Sequence, residues 1–220
     1  LVSMNESFET SIAKTGTTIV SILCKDGAIM GADRRVTAGN LVMSKTEQKV
    51  KQINDYLVLS WCGGAADAFL SEKVITAELR LKELKSKSRP TVREAANLIG
   101  MMYYRNIRSP SMIPHIVGTL VGGFNEDGSV EVYTIEPAGG VYQVKDYDAN
   151  FGSGMPFVLG LLERQWKPDM TLKEGVELAV EALKSSTQRD TASGNGIDIF
   201  TISKEGIKHA VSQKITSVYN

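Results

Sequence analysis

A chain of 220 residues with 42% apolar and 23% charged side chains is long enough for one domain with a sizeable core and short for two. Its 25 basic and 25 acidic residues cancel, so no global field recruits nucleic acid or an anionic membrane. No apolar run approaches the ~20 residues of a membrane span. The opening stretch LVSMNESFETSIAKTG carries acids and lacks the apolar centre of a secretory signal, so a cytoplasmic protein is expected.

In chain order, TTIVSILC and AIMGADRRV are β-branched, apolar runs separated by Lys25-Asp26-Gly27, a hairpin signal. A two-residue Asp26-Gly27 turn would pair Val20 with Asp33. A three-residue loop would pair Ile19 with Asp33 and bring Thr17 and Asp33 to one sheet face. The three-residue loop is expected, with Gly27 left-handed. A further strand pair is expected at Leu41 to Met43 and Val50 to Ile53, then an apolar strand, YLVLSWC, ending at Gly63-Gly64.

Leu70, Val74, Ala77, Leu81 and Leu84 recur at helical spacing and predict a helix with that stripe inward, ending before Pro90. Thr91 and Glu94 form a capping box that opens a second helix, with Ala95, Leu98, Ile99 and Met102 inward. HIVGTLVGGF, VEVYTIEP, GVYQV and the stretch to Phe151 read as short strands punctuated at Asn125 to Gly128 and Gly139-Gly140. Thr171 and Glu174 form another capping box, before a helix striped by Leu172, Val176, Ala179, Val180 and Leu183, and GIDIFTIS and the segment after Gly206 close the chain as strands. This order suits two packed sheets with a helical layer outside each.

Cys24 and Cys62 match no metal-ligand spacing and read as small buried hydrophobes rather than a disulfide. His115 and His209, the only histidines, sit in no catalytic motif. Thr17 is preceded by Gly16, a residue that lets the backbone bend sharply. A threonine exposed there as the first residue would combine a hydroxyl nucleophile with an α-amine of pKa ~8, a general base that needs no histidine.

Taken alone, a Thr-Thr pair is a β-propensity feature. Asp33, however, lies inside an apolar run, where an acid needs a partner. Lys49 in EQKVKQI is a candidate, although beside Lys45, Glu47 and Lys51 it also reads as a solvated strand lysine. A partly buried lysine lowers the pKa of a nearby hydroxyl, and a carboxylate keeps it charged and oriented.

GTTIVSILCKDGAIMGADRRVTAG, followed in order by WCGGAADAF, GSGMPFVLG and QRDTASGNGIDI, resembles the proteasome β subunits of archaeal type over essentially the whole chain from Gly16. The resemblance implies an α+β fold, a four-layer αββα sandwich of the N-terminal nucleophile hydrolase class. It implies a leader of residues 1–16 removed autocatalytically at Gly16-Thr17 and a single peptidase domain over 17–220. By motif position Thr17 is the nucleophile, Asp33 and Lys49 the charge pair, and Ser153, Asp190 and Ser193 the groups that hold the amine and a water.

Gly63 matches the oxyanion-hole donor, Thr37 and Ala65 the backbone positions that hold an extended substrate, and Val36, Glu47, Lys51, Trp61, Ala65 and Phe69 the specificity pocket. Trp61 is bulkier than the pattern leads one to expect, which makes that pocket shallow. No metal or cofactor is implied. The implied partners are α subunits, other β subunits in a seven-membered ring, an ATPase unfoldase acting indirectly, and peptide substrates.

Bacterial two-ring peptidases of the HslV type are also similar, through TTIVS and GNLVMSKTEQKV to GGAADAF, but the leader and QRDTASG fit the β-subunit pattern better. A non-catalytic ring subunit is the other alternative. Against it, Gly16, Thr17, Asp33 and Lys49 are all kept.

Overall fold

The computed structural model describes residues 16–215, so the expected leader lies, except for Gly16, outside the described residues. β1 (Ile19–Cys24) and β2 (Gly27–Asp33) stand at the centre of one sheet. β10 (Tyr147–Asp148) joins its β1 edge, and β11 (Gly196–Ser203) and β12 (Gly206–Lys214) extend it on the other side. The second sheet runs β5 (Val50–Gln52), β6 (Leu57–Gly63), β7 (Val117–Phe124), β8 (Val130–Ile135) and β9 (Val141–Gln143) in that order. β3 (Val36–Ala38) and β4 (Leu41–Ser44) make a separate two-stranded ribbon.

Helices α1 (Ala65–Ser86) and α2 (Val92–Arg108) cover the second sheet, and α3 (Met155–Gln165) and α4 (Leu172–Arg189) the first. Side-chain alternation on the strands builds the core. Along β6, Leu57, Leu59 and Trp61 face α1 and α2, while Val58 and Cys62 face the other sheet. Along β1, Ile19 points between the sheets and Val20 and Ile22 point at α3 and α4. The buried apolar residues thus fall into three clusters, one at each interface of a four-layer αββα sandwich. Among the described residues no helix is long and apolar enough to cross a membrane.

Both capping boxes form, Thr91 with Glu94 and Thr171 with Glu174. The inward faces expected of the second and last helices are the packed ones. Both cysteines are free; Cys62 is fully buried, and burial pushes its thiol up to about 12.

Several expectations fail. The β1–β2 loop holds only Lys25 and Asp26, with Cys24 paired to Gly27. Gly27 is not left-handed; it is needed because a Cβ there would lie 2.2 Å from the Ile202 carbonyl oxygen. The segments at 41–43 and 50–53 do not pair with each other: β4 pairs with β3 and β5 with β6.

On α1 the stripe of Leu70, Val74, Ala77, Leu81 and Leu84 faces outward, with Leu70 63% and Leu84 61% exposed. The buried face is Ala68, Ser71, Ile75 and Leu79. Two of those four are small residues that let the helix approach the sheet closely, so the larger apolar stripe is the misleading one.

At the mouth of the first sheet Arg34 forks onto Asp198, its Nε 2.6 Å from Oδ2 and its Nη2 2.5 Å from Oδ1. His209 approaches Oδ1 at 2.9 Å. Asp198 is 1% exposed and Arg34 9%. Removing one partner of such a pair strands the other charge. Asp198→Ala is therefore expected to destabilise the fold by about 3–5 kcal/mol, measured by denaturant unfolding against the parent.

Candidate active site

The start of β1, the end of β2 and the approach to β5 meet at one end of the sandwich. Asp33 N–H donates to the Thr18 carbonyl at 3.1 Å, continuing the register in which Ile19 faces Ala32. Asp33 is therefore opposite Thr18 rather than in line with Thr17, and the expected sharing of one face by Thr17 and Asp33 does not occur. Lys49, just before β5 in the other sheet, connects them instead. Its Nζ lies 2.8 Å from Asp33 Oδ1 and 3.0 Å from Thr17 Oγ1.

Both side chains of the Lys49–Asp33 pair are 0% exposed. Asp33 is also fixed by three backbone donors: Thr18 N–H at 2.9 Å on Oδ1, and Arg35 N–H at 2.8 Å and Gly194 N–H at 2.9 Å on Oδ2. Burial drives the Lys49 ammonium below its ordinary pKa, while the Asp33 carboxylate pulls it back up.

On the other side of Thr17, its backbone N–H donates to Ser153 Oγ at 3.1 Å. Ser153 Oγ and Ser193 Oγ each donate to Asp190 Oδ2 at 2.6 Å. Gly154 stands beside Ser153 because a Cβ there would lie 1.8 Å from Thr18 Oγ1. The Thr17 hydroxyl donates to the Gly16 carbonyl oxygen at 2.6 Å. Gly16 N–H reaches Thr37 Oγ1 at 3.3 Å.

Gly63 ends β6 at φ 110°, and a Cβ there would lie 2.2 Å from the Ile116 carbonyl oxygen, so no side chain fits. Trp61 is 4% exposed and packs edge-on against Phe69 at 5.3 Å. Lys51 Nζ lies 3.6 Å from Glu47 and 5.4 Å over the Phe69 ring. Val36 opens β3 and Ala65 opens α1. Neither carries a polar group to the cluster.

Four contributors escape the reading of the sequence. Thr18 is fully buried, with Oγ1 hydrogen-bonded to Ser186 Oγ and, at 2.7 Å, to Ser193 Oγ. Ser186 continues the inward stripe of α4 three residues past Leu183, and a serine at that spacing was the available signal. Arg35 ties the end of β2 to the loop after α4 through Asn195 Oδ1 at 2.8 Å and the Thr191 carbonyl at 2.7 Å. Glu72, on α1, adds a second carboxylate to Lys51 at 3.3 Å. A cleft of about 630 Å³ at the far end of β1, among Lys25, Lys145, Trp166 and Lys204, contains none of these residues.

An αββα sandwich with a threonine at the start of a central strand, backed by a buried lysine–carboxylate pair, has the architecture of the N-terminal nucleophile hydrolase class. Residues 13–202 match the family model for the proteasome subunit, and the chain belongs to that family. It is similar to proteins named proteasome subunit beta from three archaea. With that of Nanoarchaeum equitans it shares 38% identity over 192 residues, 87% of this chain and 95% of the relative. With that of Archaeoglobus fulgidus it shares 37% over 190 residues, 86% of each. With that of Methanocaldococcus vulcanius it shares 33% over 203 residues, 92% of this chain and 89% of the relative.

Proposed function

We propose that this chain is a catalytic β subunit of a proteasome core particle, a threonine endopeptidase that assembles with α subunits and other β subunits and becomes active on losing residues 1–16. The observation that carries the reading is the placement of Thr17 Oγ1, 3.0 Å from Lys49 Nζ and 2.6 Å from the carbonyl oxygen of the bond to be cut.

In maturation the Thr17 hydroxyl adds to the Gly16 carbonyl carbon and the Gly16–Thr17 C–N bond breaks. The hydroxyl proton passes to the Thr17 nitrogen, and the resulting ester is hydrolysed by water. The freed amine inherits the contact to Ser153, which the Asp190–Ser193 pair orients. It then acts as the base for the same hydroxyl when a substrate carbonyl occupies the place of Gly16.

Lys49 favours the developing alkoxide by its charge, Asp33 holds Lys49, and the Gly63 N–H receives the oxyanion. Thr37 and Ala65 support the substrate backbone, and the aromatic and charged cluster at Val36, Glu47, Lys51, Trp61 and Phe69 receives the side chain before the scissile bond. The unfoldase that supplies extended chains acts on the assembly, in the cytoplasm.

The test is the intact mass of the chain after co-assembly with α subunits. Loss of residues 1–16 is expected; a full-length, inactive chain in assembled particles overturns the reading. Gly16→Val is expected to slow that loss at least tenfold in a mass time course, because even a Cβ at Gly16 would lie 1.9 Å from the Ala192 Cβ.

A further inference from the structure

The residues proposed above to receive the substrate side chain adjoin the reactive groups from two directions. Glu47 N–H donates to the Arg34 carbonyl at 3.2 Å, one residue past Asp33, and Trp61 N–H donates to the Lys49 carbonyl at 3.2 Å. Lys51 follows two residues after Lys49. Its ammonium is held between two carboxylates, Glu47 at 3.6 Å and Glu72 at 3.3 Å, all three side chains being between 22% and 28% exposed. One cation between two anions leaves the pocket net negative.

Beneath them lie Phe69 and Trp61, whose buried indole N–H has no acceptor among the described residues.

We infer that Glu72, from α1, together with Glu47 selects a cationic side chain, lysine or arginine, immediately before the scissile bond; the inference rests on the peptidase reading above. The aliphatic stem of such a residue lies on the aromatic floor and its charge meets the carboxylates that Lys51 only half neutralises. An acidic side chain meets both carboxylates and gains Lys51 only by drawing it from two partners. A large apolar side chain brings no charge to the two carboxylates.

The experiment uses mature particles assembled with α subunits and peptides carrying arginine, leucine or glutamate before a fluorogenic leaving group. The arginine peptide is expected to exceed the glutamate peptide in kcat/KM by at least tenfold, with the ratio falling as salt rises. Glu47→Gln with Glu72→Gln makes the pocket net positive and is expected to lower that ratio at least tenfold. Lys51→Gln is expected to raise it severalfold.

A wild-type particle that prefers the glutamate or leucine peptide overturns the inference, as does a ratio unmoved by the charge changes. Degradation of unfolded casein without cleavage of the arginine peptide also overturns it and leaves the peptidase reading standing. Particles that cleave neither casein nor any peptide overturn both.

Discussion

Thr17→Ala is expected to abolish both loss of the leader and hydrolysis of unfolded protein, lowering turnover by roughly four orders of magnitude or more. One atom is responsible. Thr17 Oγ1 takes a hydrogen bond from Lys49 and directs its own onto the Gly16 carbonyl, and alanine removes it while the backbone N–H can still reach Ser153. Intact mass and casein hydrolysis in purified particles read the two effects separately. Thr17→Ser, which restores the hydroxyl, is expected to recover cleavage at a reduced rate. Particles of Thr17→Ala that still shed residues 1–16 would place the cleavage in another agent.

Lys49→Met is the second large effect. Turnover is expected to fall by roughly 10²–10⁴-fold, the range for losing a group positioned for proton transfer. Stability is expected to fall too, by about 3 kcal/mol, the lower end for breaking a buried ion pair. The lower end applies because the Thr18, Arg35 and Gly194 amides continue to solvate the Asp33 carboxylate. Lys49→Arg is expected to rescue little activity: a larger, permanently protonated guanidinium has no room in a site where Lys49 is 0% exposed. Peptide kinetics and denaturant unfolding of the same particles separate the catalytic loss from the structural one; equal activity in wild type and Lys49→Met would remove Lys49 from the mechanism.

Much of this site was legible because its residues announce themselves locally. A threonine after a glycine and an acid within an apolar run are anomalies against the background of strands and turns, whereas Lys49, Ser153, Asp190 and Ser193 stand out only through the resemblance carried by the motifs in order. Ser186 was overlooked for the opposite reason, since a serine on a helix looks ordinary until its face is known. Glu72 was overlooked because it lies 21 residues from Lys51 on a helix, with no local irregularity to mark it.

The β1–β2 register depended on whether Gly27 was a turn residue or a strand residue. It is a strand residue paired with Cys24, and its close approach to the Ile202 carbonyl, 175 positions along, is open only to a residue without a Cβ. The inward face of α1 was settled in the same way, by which stripe could approach the second sheet.

Capping boxes, strand runs and the alternation of strands and helices were determined by the sequence alone, because each rests on interactions between near neighbours in the chain. The tertiary structure decided that Thr17 and Asp33 occupy different faces and are joined by a lysine from the opposite sheet. It also decided that Ser153, Asp190 and Ser193 close on the other side of the same threonine. Contacts across 16 to 136 residues depend on sheet pairing and layer packing, and a shift of one residue in a strand reverses which side chains meet.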